Sequence, residues 1–271
     1  MPRKPVQHDR RRALYASTAW LVGPLLPMSS ALARALIDGT DPAIEALSAS
    51  LIEGRETPRE RAVAIHDHVR DELRFGFTPQ MYAMSAPDVL RAGLGYSQSK
   101  STLFVALLRA AGIEARLQFV DLDARILRGL LDLRSPFIDH CYAEVLLGGA
   151  WVPTDSYVVD SALFRAATAA LRAESRSLGY AVRVDGRPQW DGRSPAHVQF
   201  VPDDDSACPH RWGVFSDVAA FYEHTPEAWN RLNNVTRVVL PLAAHAANVT
   251  AEALRRDGPS AVRGRVRRLQ A

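Results

Sequence analysis

Apolar positions recur at helical spacing through the first half of the chain and alternate through the middle. Asp41-Pro42 opens a first helix that runs to Glu53, with Gly54 as its stop. Thr57-Pro58-Arg59-Glu60 is a capping box with proline at the first helical position. The helix it opens puts Ala62, Val63, Ile65, His66, Val69 and Leu73 on its buried side. Arg74 to Pro79 then reads as extended. Ser85-Ala86-Pro87-Asp88 caps a short helix ending at Ala92. After Gly93-Leu94-Gly95, a helix from Gln98 to Ala111 buries Leu103, Phe104, Leu107 and Leu108, and Gly112 stops it.

The period then changes. Ala115–Val120 reads as a strand. Cys141–Leu147 and Trp151–Thr154 form a hairpin about Gly148-Gly149. Asp160–Ser177 returns to a helical pattern. Tyr180–Val184 and Val198–Val201 read as strand-like, and Val214–Tyr222 and Val235–Arg256 as helices. There is no repeat, linker or low-complexity tract. The pattern predicts one α+β domain over residues 34–271, built on an antiparallel sheet, with a core over about 41–160 and a C-terminal helical extension.

The first 33 residues differ from the rest. Arg10-Arg11-Arg12 precedes an apolar run from Ala13 to Met28, then Ala31-Leu32-Ala33. That order fits an export signal with an A-x-A cleavage site, and the adjacent arginines resemble a twin-arginine signal. The expectation is a periplasmic or secreted protein, the alternative a cytoplasmic one whose N-terminal segment packs on the domain. The run is too short and too interrupted by Gly23, Pro24 and Pro27 for stable membrane insertion.

Charge narrows the partners. Of 33 basic and 30 acidic residues, five and one lie in residues 1–12 and six and one in residues 255–271. The body keeps 22 against 28, a net of −6. A mildly acidic body argues against nucleic-acid binding, which needs clustered Lys and Arg. Two cysteines are too few for a disulfide scaffold, and the eight histidines show no tight ligand spacing, so neither a metal nor a cofactor is expected. His66 and His68 flank Asp67 at a spacing that does not share a helical face, and read as helix-surface and interface residues.

Three residues carry candidate chemistry. Ser97 follows a glycine-rich turn and starts an apolar helix, where backbone N–H groups point outward and the dipole is positive. Taken alone, a serine there is an ordinary N-cap. His140 stands just before the strand at Cys141, and Asp155 closes the partner strand after Trp151-Val152-Pro153-Thr154. The two flank the Gly-Gly turn almost symmetrically, so the hairpin brings the carboxylate within reach of the imidazole. That both then face Ser97 does not follow from the residues.

The order of these stretches resembles the transglutaminase-like core of the papain-like fold. The matching segments are Gly95-Tyr96-Ser97-Gln98-Ser99-Lys100, His140-Cys141-Tyr142-Ala143-Glu144-Val145 and Trp151-Val152-Pro153-Thr154-Asp155. Val69–Gly76 and Ala111–Arg116 add to the likeness, which covers roughly residues 41–160. The resemblance implies a nucleophile-bearing helix packed on an antiparallel sheet, and a triad of Ser97, His140 and Asp155. It also implies acyl transfer from a peptide, protein or small amide substrate to an amine or water. Calcium serves some animal members, but no acidic loop here argues for it.

The family has cysteine where this chain has Ser97. A cysteine there rests as a thiolate, whereas a serine needs His140 as general base during attack. Three readings are open: a native serine nucleophile, a natural loss that leaves a peptide- or acyl-binding module, or an engineered silencing change. Cys141 adjoins His140 on a strand, so its side chain points to the opposite face, and it reads as a core residue.

Overall fold

The computed structural model describes residues 36–78, 84–133, 135–202, 208–225 and 234–262, without the side chains of residues 234–241. The export-signal segment lies outside the described residues.

Four helices surround the start of the fold: α1 (Pro42–Ile52), α2 (Pro58–Asp71), α3 (Ala86–Ala92) and α4 (Ser97–Ala110). Their starts are fixed by side-chain caps. Asp41 accepts from Ala43 N–H, Ser85 accepts from Asp88 N–H, and Thr57 and Glu60 form a reciprocal capping box. Helix α4 is buried on every side from Ser97 to Leu108. It packs on the sheet and against α1, α2 and α3, so it is the central element of the core.

The main sheet is antiparallel and four-stranded, in the order β5 (Ala150–Thr154), β4 (Phe137–Leu147), β3 (Ala115–Asp123), β8 (Arg211–Phe215). Gly148 and Gly149 turn the β4–β5 hairpin with φ of 62° and 82°, the left-handed pair a two-residue turn needs. Two short strands, β1 (Arg74–Phe75) and β2 (Leu94–Gly95), pair in parallel and carry the chain into α4. Helices α5 (Ser161–Ala173), α6 (Val218–His224) and α7 (Asn234–Asp257) complete the described helices, with a small β6–β7 pair at Leu178–Gly179 and Val182–Arg183. Mixed helix and antiparallel sheet is the expected α+β class. Among the described residues no helix is long and apolar enough to cross a membrane.

Several boundaries differ from the sequence reading, each for a physical reason. Strand β4 starts at Phe137, not Cys141, because β3 runs on to Asp123 and pairs Asp123 with Phe137. His140 is therefore inside a strand. Val198 to Phe200 form no strand, because their N–H groups turn to the carboxylate of Asp155. Tyr180 and Ala181 sit at φ of 52° and 66°, which limits the next strand to Val182–Arg183. Val214 belongs to β8, and the helix begins only after Asp217, whose side chain accepts from Ala220 N–H. Helix α5 stops at Ala173, before Ser175 at φ 54°. His66 is not a surface residue but wholly buried.

Candidate active site

The geometry starts at Gly95. A Cβ there would come within 2.6 Å of Ser99 Oγ and 2.9 Å of Lys100 Cγ, so only glycine lets the incoming strand lie this close to the helix it feeds. Gly76 N–H donates to Gly95 O at 2.9 Å and holds the entry from the other side. Ser97 is then the first residue of α4. The first-turn N–H groups of a helix have no intrahelical partner, so a helix start favours negative charge.

Contacts from the residues that follow Ser97 tie the helix start to the middle of β4. Gln98 Nε2 donates to Asp139 Oδ2 at 2.6 Å and to Tyr222 OH at 3.2 Å. Tyr222 OH also donates to Asp139 Oδ2. One turn further on, Ser101 Oγ donates to Cys141 O at 3.3 Å. Asp139 and Cys141 flank His140, so these bonds fix the start of α4 against the stretch of β4 that carries His140. The Ser97 hydroxyl itself donates to Gln98 Oε1 at 3.2 Å.

His140 and Asp155 meet directly. The last ladder pair of the hairpin is Ala143 with Thr154, so Asp155 leaves the strand and its carboxylate reaches back diagonally. Asp155 Oδ2 lies 3.0 Å from His140 Nε2, with both side chains almost completely buried. An ionised carboxylate only accepts, so Nε2 carries a proton, and in the neutral ring Nδ1 is the acceptor.

The carboxylate has further donors that sequence reasoning missed. Val198 N–H donates to Oδ1 at 2.6 Å, Phe200 N–H to Oδ2 at 2.8 Å, and Gln199 N–H to Oδ2 at 3.3 Å. His197 Nδ1 stands 3.6 Å from Oδ1, a charge contact rather than a hydrogen bond. Burial alone would raise the pKa of Asp155. The bonds from His140 and the His197 contact outweigh it and hold the group well below the usual carboxylate range. No residue pattern announces backbone donors, so only the contact itself could have found them.

Cys141 is buried on the opposite side from the imidazole, and burial pushes its thiol far above its ordinary value. It is a core residue, as its position beside His140 predicts. Among the described residues no group of three or more His, Cys, Asp or Glu is placed to hold a metal ion.

Residues 45–156 match the sequence profile of the transglutaminase-like superfamily core. Two solved structures are similar. One is described as a "Putative Cysteine Protease from Cytophaga hutchinsonii", 19% identical over 48% of this chain and 43% of its own, with a TM-score of 0.36. The other is a "Putative Protease from Parabacteroides distasonis", 17% identical over 46% of this chain and 25% of its own, with a TM-score of 0.34. The matched region thus spans less than half of either chain. No curated protein sequence matches.

Proposed function

Taking residues 45–156 as a transglutaminase-like superfamily core, we propose that this chain is an acyl-transfer enzyme working through an acyl-enzyme on residue 97. The buried 3.0 Å bond between His140 Nε2 and Asp155 Oδ2 is the observation that supports it most. In this reading Asp155 orients the ring and His140 Nδ1 is the base. Nδ1 takes the hydroxyl proton as Ser97 Oγ bonds to the acyl carbon of an amide. The carbonyl oxygen becomes an oxyanion among the first N–H groups of α4. Collapse breaks the C–N bond, and the leaving amine takes the proton from Nδ1. Water or a second amine then gives its proton to Nδ1 and attacks the ester, and Nδ1 passes that proton to Ser97 Oγ as the C–O bond breaks. Peptides, proteins and small amides are the substrate class.

The test is a pair of variants read without presuming a substrate. In Ser97→Cys, alkylation of residue 97 by iodoacetamide is followed by peptide mapping. The expected rate is well above that of an unperturbed thiol, because a cysteine beside His140 and a helix start ionises easily. His140→Ala in the same background removes the enhancement, and turnover falls by about ten-thousand-fold wherever a substrate is found. If Ser97→Cys labels no faster than a free thiol, the site activates no nucleophile. The chain is then a peptide- or acyl-binding protein built on this fold.

A further inference from the structure

A buried chain of polar side chains runs from α2 to the segment that grips Asp155. Asp67 Oδ1 lies 2.9 Å from His66 Nδ1, and His66 Nε2 lies 2.7 Å from Ser156 Oγ. Ser156 Oγ lies 2.7 Å from Thr154 Oγ1, which donates to Ala196 O at 2.9 Å. Asp155 N–H donates to the same carbonyl at 3.1 Å. Ala196 opens the segment whose amides at 198, 199 and 200 bind the carboxylate. His66, Thr154 and Ser156 are fully buried.

Counting protons along this chain gives two patterns. Thr154 has one hydroxyl proton. If it goes to Ala196 O, Thr154 must accept from Ser156, and Ser156 must accept from His66 Nε2–H. Nδ1 faces a carboxylate and also needs a proton, so this pattern requires a cationic His66. With one proton fewer, His66 keeps it on Nδ1 toward Asp67, and Nε2 accepts from Ser156. Ser156 then accepts from Thr154, whose bond to Ala196 is given up.

We propose that His66 is a positioning residue for the Asp155 carboxylate, its proton state setting the direction of the Ser156–Thr154 chain and so the hold on the Ala196–Phe200 segment. The inference rests on the catalytic reading of Asp155. Charged groups around His66 are Asp67 and Arg70 on α2 and Lys100 on α4. The rings of Phe104, Tyr157 and Trp190 enclose it. Burial favours its neutral form and Asp67 opposes that.

The experiment uses Ser97→Cys protein and records alkylation at residue 97 from pH 5 to 9. A dependence on His66 should add an inflection to the profile beyond that of the residue 97–His140 pair. His66→Phe is expected to remove that inflection and slow the plateau rate several-fold. Ser156→Ala, a smaller change, is expected to do the same, and the double variant to be no worse than either single one. Amide exchange at Val198 and Phe200 should quicken several-fold in both variants. If His140→Ala abolishes enhanced labelling while His66→Phe and Ser156→Ala leave profile and exchange unchanged, the inference is overturned and the catalytic reading stands. If His140→Ala changes nothing, the catalytic reading falls and this inference falls with it.

Discussion

Asp155 is the residue on which most of the site converges. It has no exposed surface, yet it stays ionised because His140 and three backbone amides donate to it. Asp155→Asn tests this with almost no change of shape. A carboxamide has one acceptor oxygen and a donor NH2. Facing the amides, the NH2 opposes other donors. Facing His140, it moves the ring proton to Nδ1 and removes the base. Turnover should fall by about ten-thousand-fold, as it does when a triad aspartate becomes asparagine. The pH dependence follows from the same bonds. The folded pKa is depressed, so this stabilisation is complete above the ordinary carboxylate value of about 4 and is lost as pH falls below it. Urea titrations between pH 5 and 2 should show a shallower loss of stability in Asp155→Asn than in the parent. The pairing of His140 with Asp155 was legible in the sequence, because a hairpin with a Gly-Gly turn fixes which residues oppose each other. The amide donors were not, since every residue but proline has an N–H. His66 was misread because its partner Ser156 lies 90 positions away and leaves no local trace.

Among the elements, the contact between α2 and α4 carries the least expected group. Lys100 is fully buried, and its Nζ donates to the carbonyls of Leu73 at 2.8 Å and Arg70 at 3.3 Å at the end of α2. That end of a helix is electronegative and favours a cation. Burial nevertheless dominates and pushes the ammonium down to about 7, with Asp160 and Asp71 pulling back. The unfolded chain keeps this proton up to a pH of about 10.4, so between the two values it binds more protons than the folded one. Stability from this group therefore rises with pH above about 7. The parent should gain stability against urea between pH 7 and 9 relative to Lys100→Met, in which that slope is absent. Equal slopes would mean that Lys100 keeps its ordinary affinity for protons. Helix starts were the most legible feature at this scale, because Asp41, Thr57 and Ser85 cap through their own side chains. Strand ends were not, because β4 begins where β3 reaches, and that is a property of two segments at once.

For the molecule as a whole, residues beyond the 45–156 match hold the strand that leads into Ser97. Asn248 on α7 accepts from Phe77 N–H at 2.9 Å and donates to Phe77 O at 2.8 Å. Arg255 on the same helix pairs with Asp160 Oδ2 at 2.5 Å and donates to Phe75 O at 2.8 Å. Phe75 ends β1, which pairs with β2, and β2 leads into Ser97. The Arg255–Asp160 pair is buried on both sides, and Asp160 also caps α5 through Leu163 N–H. Removing one partner of such a pair leaves an uncompensated charge, which costs about 3–5 kcal/mol. Arg255→Met should therefore lower the unfolding free energy by that order. Adding Asp160→Asn removes the stranded charge and keeps an acceptor for Phe75 or Leu163, so the double variant should recover a good part of the loss. Denaturant titrations of the two single variants and the double give the coupling directly. A double variant as unstable as the sum of both single ones would mean that α7 is held by its apolar face alone. If the coupling is large, Arg255→Met in the Ser97→Cys background should also slow alkylation of residue 97, because the strand that sets the helix start has lost its anchor.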